Sequence, residues 1–258
     1  MSKIKAVAFD LDDTLAHSKS AISPTMATML IELAEILPVC VISGGRFEQF
    51  QGQLLSNLPY SACAFTNLHL MPTCGTRYFR YQDGGWALIY AEDLSVVEKS
   101  EATEELERVA KELGFWEADH LVHGERIEDR GSQITYSALG QLAPVSEKRL
   151  WDPEGAKRAQ LQVNLQQALP HLEVRSGGST SIDITSKGID KAYGIREFAD
   201  LVDANFAEIL FIGDRLEPGG NDYPVISLGV MTRAVKDCDE TEEILPSLIS
   251  SVRESDGL

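Results

Sequence analysis

Cysteine is scarce and unpatterned in this chain. Its four thiols, Cys40, Cys63, Cys74 and Cys238, form no CxxC pair and no metal-ligand spacing. Free thiols in a reducing compartment are the expectation. The five histidines are scattered without an HxxxH pair, so nothing advertises histidine chemistry. Positive charge is also short. Against 40 acidic residues stand 23 lysines and arginines, a formal charge of −17. A general nucleic-acid binder needs a basic surface, and that class is excluded. Any phosphorylated substrate would require a local basic exception. Long apolar runs are missing too: no segment approaches the ~20 residues of a membrane span, so no membrane partner is expected. The opening "MSKIKAVAFDLDDTL" places an acid after four apolar residues, unlike a secretory signal. A cytoplasmic location is the expectation. There is no internal repeat and no low-complexity segment.

What is present is ordinary globular composition, 43% apolar and 24% charged over 258 residues, enough for one large domain or two modest ones. Four short apolar runs end in polar or glycine residues: "AVAF" (6–9), "PVCVI" (38–42), "EILFI" (208–212) and "YPVISLGV" (223–230). Such runs suit buried parallel strands. Helical patterns lie between them, in "SPTMATMLIELAEIL" (23–37) behind a Ser-Pro start, and in "KAYGIREFADLV" after Asp190. The alternation predicts an α/β fold, a Rossmann-like, doubly wound parallel sheet core. From about Trp86 to Thr185 the pattern changes. Helices at 102–114 and 156–169 mix with alternating stretches such as "SQITYSAL" and "STSIDIT". That reads as an inserted α+β domain over 86–185, leaving 1–85 and 186–258 as the core.

The chemistry gathers at strand ends. In "FDLDDTL" an extended backbone sends Asp10 and Asp12 to one side and Asp13 to the other. Two close carboxylates repel unless a cation or a shared proton intervenes. Mg²⁺, a hard ion preferring oxygen ligands and a substrate phosphate, is the natural partner. "EILFIGD" delivers Asp214 to the carboxyl edge, where open α/β sheets build their sites. Asp10, the Asp12 carbonyl and Asp214 could share that metal. Ser43 and Gly44 open a Gly-Gly turn after the second run. "TSKGIDK" supplies Lys187 and Lys191 at a helix start, the local basic exception for a phosphate.

These motifs, in this order, resemble the haloacid dehalogenase superfamily of phosphotransferases. "FDLDDTL" is similar to its first motif, Ser43 to the second, Lys191 to the third and "GDRLEPGGND" to the acidic fourth. The resemblance implies Asp10 as nucleophile through an aspartyl-phosphate, Asp12 as general acid/base, and Lys191 on the phosphoryl group. Asp214 would hold Mg²⁺, with Asp222 beside it. Within the superfamily the chain resembles subfamily IIB, and its eukaryotic-type phosphomannomutase branch most. "GDRLEPGGNDYPV", "GGSTSIDITSKGIDKAYGI" and "RFEQFQGQL" (46–54) carry that likeness, the last adding Arg46 to the binding set. By position, Ser181 and Asp183 would contact sugar hydroxyls, Arg130 a distal phosphate, and Lys19 a cationic contact. Where the branch has a phosphate-binding arginine this chain has Gln141, and the next cap arginine falls near Lys148 or Arg149. Glutamine forfeits charge-assisted bonds to phosphate. That departure favours a phosphatase of a small phosphorylated sugar. A sugar-phosphate mutase is the alternative and a non-catalytic sensor a third reading. The branch also pairs through its caps, which implies a homodimer.

Overall fold

The computed structural model describes residues 3–256, and the chain divides into two compact units, 1–91 with 190–258 and the inserted 92–189. The first unit is built on a seven-stranded sheet in the order β11-β10-β1-β2-β3-β4-β5. Its strands are β1 (Ala6–Asp10), β2 (Val39–Ile42), β3 (Leu68–Met71), β4 (Arg77–Gln82), β5 (Gly85–Ala91), β10 (Ile209–Gly213) and β11 (Met231–Ala234). The first three pair parallel with one another and β1 pairs parallel with β10, whereas β4 and β5 run antiparallel at one edge. This is the doubly wound core the alternation predicts.

Side-chain alternation along the strands builds two apolar layers. Val7, Phe9, Val39 and Val41 pack with α1 (Pro24–Ala34) and α9 (Cys238–Asp256). Ala6, Ala8, Cys40 and Ile42 pack on the other face with α7 (Lys191–Leu201). Short helices α2 (Phe47–Gln53) and α3 (Ala62–Asn67) link β2 to β3. Helix α1 starts as its sequence predicts, with the Ser23 hydroxyl accepting from the Met26 N–H at 3.0 Å and Pro24 in the first turn.

The second unit carries α4 (Val96–Glu112), β6 (Ile127–Asp129), β7 (Gln133–Ser137), α5 (Val145–Trp151), α6 (Ala156–Ala168), β8 (Leu172–Ser176) and β9 (Ser181–Ser186). Its antiparallel sheet runs β6-β7-β9-β8. Ile134, Tyr136, Ile182, Ile184 and Val174 form one core with Leu106 of α4 and Leu161 and Leu165 of α6. The intervening strand residues, Gln133, Thr135, Ser181 and Asp183, are polar and belong to the opposite face.

Three expectations need correction. "YPVISLGV" is not a strand: Tyr223–Ile226 forms one helical turn, α8, with Pro224 at its start, and the parallel edge strand follows at Met231. Proline has no N–H for a ladder and suits a helix start. Trp86–Ala91, expected in the insert, pairs with β4 as β5, while Ser186 closes β9 against Leu172 in the second unit. Helix α4 begins at Val96, six residues early, because Ser95 and Glu98 close a capping box.

Candidate active site

Three strand ends and one helix start bring the candidate site residues to one edge of the sheet. Asp10 is the last residue of β1 and is buried. Asp214 follows β10, Ser43 follows β2, and Lys191 opens α7 behind the N-cap Asp190. The Lys191 ammonium lies 2.5 Å from Asp10 Oδ1 and 2.5 Å from Asp222 Oδ1. One oxygen from each of Asp10, Asp214 and Asp222 lies within 4.8 Å of the others. The Thr14 hydroxyl donates to Asp214 Oδ1 at 3.5 Å.

The "EPGGND" turn explains how Asp222 arrives. Gly219 holds a positive φ of 90°, and a Cβ on Gly220 would stand 2.0 Å from the Arg215 carbonyl oxygen. That close backbone approach lets Asp222 N–H donate to Arg215 O at 3.2 Å, and Arg215 N–H donates back to Asp222 Oδ2 at 3.0 Å. One Asp222 oxygen is therefore committed to Arg215 and the other to Lys191. The sequence reading set this residue beside a metal; the structure adds the lysine it holds.

Charge and burial set the chemistry. Burial and the neighbouring Asp222 push Asp10 well above the usual carboxylate range, in spite of Lys191. Burial and Asp222 raise Asp214 in the same direction. Burial works against the Lys191 ammonium, but Asp10 and Asp222 outweigh it and hold it above its ordinary value. Were all three carboxylates ionised beside the one ammonium, two negative charges would be left uncompensated, which is why Asp10 and Asp214 are pushed up. An all-oxygen donor set with that excess fits a hard divalent cation such as Mg²⁺, whose charge would favour the ionised carboxylates.

The Asp12 side chain has partners of its own. The strand ends at Asp10, and the chain folds into a tight loop in which Asp13 N–H donates to Ala16 O at 2.7 Å. The Asp12 carboxylate accepts from Lys19 N–H at 3.0 Å, Gln49 Nε2 at 2.7 Å and Gln53 Nε2 at 3.3 Å, which leaves its backbone carbonyl as the atom expected at a metal. Gln49 and Gln53 were missed by the sequence reading. Their four-residue spacing on α2 puts both amides on one helix face, a signal that was legible. Ser43 is buried, its hydroxyl accepting from Gly45 N–H at 3.0 Å, while a Cβ on Gly44 would meet open space. Arg46 is exposed and lies 3.6 Å from Glu48. Lys19 is exposed, with its backbone N–H on Asp12. Lys187 is not at the helix start: it sits in an exposed turn of the second unit, four residues before α7.

The inserted unit has a polar row of its own. Glu128, Thr135, Asp183 and Arg175 are register neighbours across β6, β7, β9 and β8. Arg130 Nε donates to Glu128 Oε2 at 2.6 Å, Thr135 donates to Asp183 Oδ1 at 2.8 Å, and Gln133 Nε2 donates to Thr135 Oγ1 at 2.8 Å. Ser181 lies two residues before Asp183 on the same face of β9. Burial pushes the Asp183 carboxyl up, offset in part by Arg130. Lys148 is buried on α5 and donates to the Gln141 carbonyl at 3.0 Å.

The family described as "Eukaryotic phosphomannomutase" matches residues 120–251. The chain is 26% identical to Phosphomannomutase 2 of Dictyostelium discoideum over 225 residues, 84% of each chain. Its fold is similar to a C-terminally truncated Plasmodium falciparum IMP-nucleotidase, with a TM-score of 0.73 at 16% identity over 96% of this chain and 72% of that one. A trehalose-6-phosphate phosphatase related protein gives a TM-score of 0.56 at 15% identity over 97% of this chain and 99% of that one. At such identity the two structures speak for the fold alone. The family match covers just over half the chain, from the inserted sheet through the Lys191–Asp222 pair into the last helix, and by it the chain belongs to the eukaryotic phosphomannomutase family, a branch of the haloacid dehalogenase phosphotransferases.

Proposed function

We propose that this chain transfers phosphate on a small sugar phosphate through Asp10, and that isomerisation rather than hydrolysis is its main reaction. The family match supports the second point, because it runs across the inserted sheet bearing Arg130, Ser181 and Asp183 as well as the catalytic edge. A relative similar over 84% of each chain is a phosphomannomutase. The Asp10 carboxylate attacks the phosphorus, and the sugar oxygen leaves with a proton from Asp12. Lys191 faces the transferring oxygens and offsets charge there. Asp12, oriented by Gln49 and Gln53, then takes a proton back from the attacking hydroxyl. Asp10, Asp214 and Asp222 would hold Mg²⁺, which supplies charge neutralisation at the phosphoryl group.

Hydrolysis is the second reading, and one residue favours it. Gln141 stands where the resembling branch carries an arginine, and a neutral amide binds a second phosphate less firmly. A mutase must retain a bisphosphate and turn it over; a phosphatase needs one anchor. The reading carries a cytoplasmic enzyme and a homodimer paired through the insert, where Leu142 and Leu150 are exposed.

Incubation with mannose 1-phosphate, Mg²⁺ and a trace of the 1,6-bisphosphate separates the two. Mannose 6-phosphate in excess of free phosphate supports isomerisation. Free phosphate as the dominant product, restored to isomerisation by Gln141→Arg, moves the assignment to hydrolysis. Binding without turnover on any phosphorylated sugar would remove both.

A further inference from the structure

A second group of metal-ligating side chains converges within the first unit, where the loop after β1 meets the start of α9. The Cys238 sulfur lies 3.4 Å from His17 Nδ1. One ligand atom from each of His17, Cys238 and Asp239 lies within 4.8 Å of the others, with Cys238 buried and the other two exposed. We propose that His17, Cys238 and Asp239 form a site for a zinc-class divalent ion, with a fourth position open to water.

The geometry fits the ion. Sulfur and nitrogen on one tetrahedral zinc, at Zn–S of about 2.3 Å and Zn–N of about 2.05 Å, stand about 3.5 Å apart. The Cys238–His17 separation of 3.4 Å is close to that value. His17 is held in place by its neighbours, since Ser18 N–H donates to Asp13 Oδ1 at 3.0 Å and Lys19 N–H to Asp12 Oδ1 at 3.0 Å. The chemistry discriminates as well. A thiolate and an imidazole select a softer ion, whereas the oxygen-only cluster at Asp10 suits Mg²⁺.

The electrostatics act in two directions. Burial, then Asp239, Asp237 and Asp13, keep the Cys238 thiol protonated above its ordinary range. The same carboxylates attract a cation, which takes the thiolate while the thiol proton passes to solvent. The partial positive charge at the start of α9 opposes an ion, but Asp239 and Glu240 occupy that first turn. Lys236 lies 3.8 Å from Asp237 and Arg233 lies 3.6 Å from Glu240, both pairs at the surface. Occupancy would tie the loop carrying Asp12 to the last helix, 221 residues away in sequence.

The test is Co²⁺ titration of metal-stripped protein with the oxygen site saturated by Mg²⁺. One equivalent of Co²⁺ should give a thiolate-to-cobalt charge-transfer band, which carboxylate ligands cannot produce, and an equivalent of Zn²⁺ should remove it. Cys238→Ser should abolish the band. His17→Ala, at an exposed position, should weaken Co²⁺ binding at least about tenfold with the Mg²⁺-dependent activity unchanged. No charge-transfer band in the native protein overturns the site. So does a band that survives in Cys238→Ser, which would assign the sulfur to another cysteine, or Co²⁺ affinity unaltered in His17→Ala. Should Cys238→Ser fail to fold, the His17 and Asp239→Asn variants decide it by the same readout.

Discussion

At the scale of single residues, Asp10 and Asp222 share one ammonium yet differ in consequence. Asp10 is held above the carboxylate range by burial and by Asp222, so its charge is costly to keep in the metal-free fold. Replacing it with an isosteric amide removes that cost and retains an oxygen near Lys191. Asp10→Asn should therefore lower turnover by at least about a thousandfold while leaving metal-free stability unchanged or raised. Turnover assays beside urea unfolding check both halves; appreciable residual activity would take the nucleophile's role from Asp10. Asp222 has no such freedom. It is fully buried and accepts from both Lys191 and the Arg215 backbone. Asp222→Ala leaves Lys191 with Asp10 as its carboxylate and removes the acceptor of the Arg215 N–H, and should cost about 1–3 kcal/mol, read as a lower urea midpoint. A loss under about 1 kcal/mol would mean that the Asp10 pair suffices for Lys191 and that Asp222 adds little to the fold.

At the scale of elements, α7 can carry Lys191 into the sheet edge because its first turn ends without a side chain, at Gly194. A Cβ on Gly194 would lie 2.5 Å from Ile42 Cδ1 and 2.6 Å from the Cys74 carbonyl oxygen. Alanine gains about 1 kcal/mol of helix propensity, but overpacking against backbone costs about 1–3 kcal/mol, and a carbonyl cannot rotate aside. Gly194→Ala should lower stability and reduce kcat, since α7 must lift and take Lys191 with it. Unchanged kcat would show that the lysine is positioned independently of that contact. Helix α6 makes a different case, its N-cap Gly155 offering no side chain. Asp152 substitutes for it, accepting from the Lys157 and Arg158 N–H groups and from Arg158 Nε, each at 3.0 Å. Burial works against the Asp152 charge, yet these bonds outweigh it and hold the carboxyl below its ordinary value. A depressed native value contributes stability that is complete above the unfolded value near 4 and lost as pH falls through the native one. Asp152→Ala should cost about 1–2 kcal/mol at pH 7, and its gap from the native protein should close below about pH 4. Urea unfolding across that range checks the sign; a gap that widens in acid would refute it.

At the scale of the whole molecule, charge is the dominant feature. A net −17 repels itself, and helix pairs such as Arg108 with Glu105 and Glu112 on α4 offset only a fraction of it. Raising salt from about 0.02 to 0.5 M shortens the screening length several-fold, weakening the diffuse repulsion and those exposed pairs together. The repulsion is the larger sum, so the melting temperature of the metal-free protein should rise by a few degrees. A fall would mean that specific pairs outweigh net charge. No helix among the described residues is long and apolar enough to cross a membrane.

Much of this was written locally. The β1 and β10 runs, the Ser23-Pro24 start of α1, and the Asp10, Asp214 and Lys191 motifs each depend on a few adjacent residues, where periodicity, capping and turn geometry act directly. Even the α4 start was legible, through the overlooked Ser95–Glu98 box. Other features needed the fold. Asp222 meets Lys191 across 31 residues, the Asp12 carboxylate meets α2 across 37, and His17 meets Cys238 across 221. The place of Trp86–Ala91 in the first sheet was likewise decided by pairing with β4, since an edge strand looks alike in either unit. Local stereochemistry fixes which element forms, whereas the partner of a buried charge depends on how distant elements pack, and no short stretch of chain carries that information.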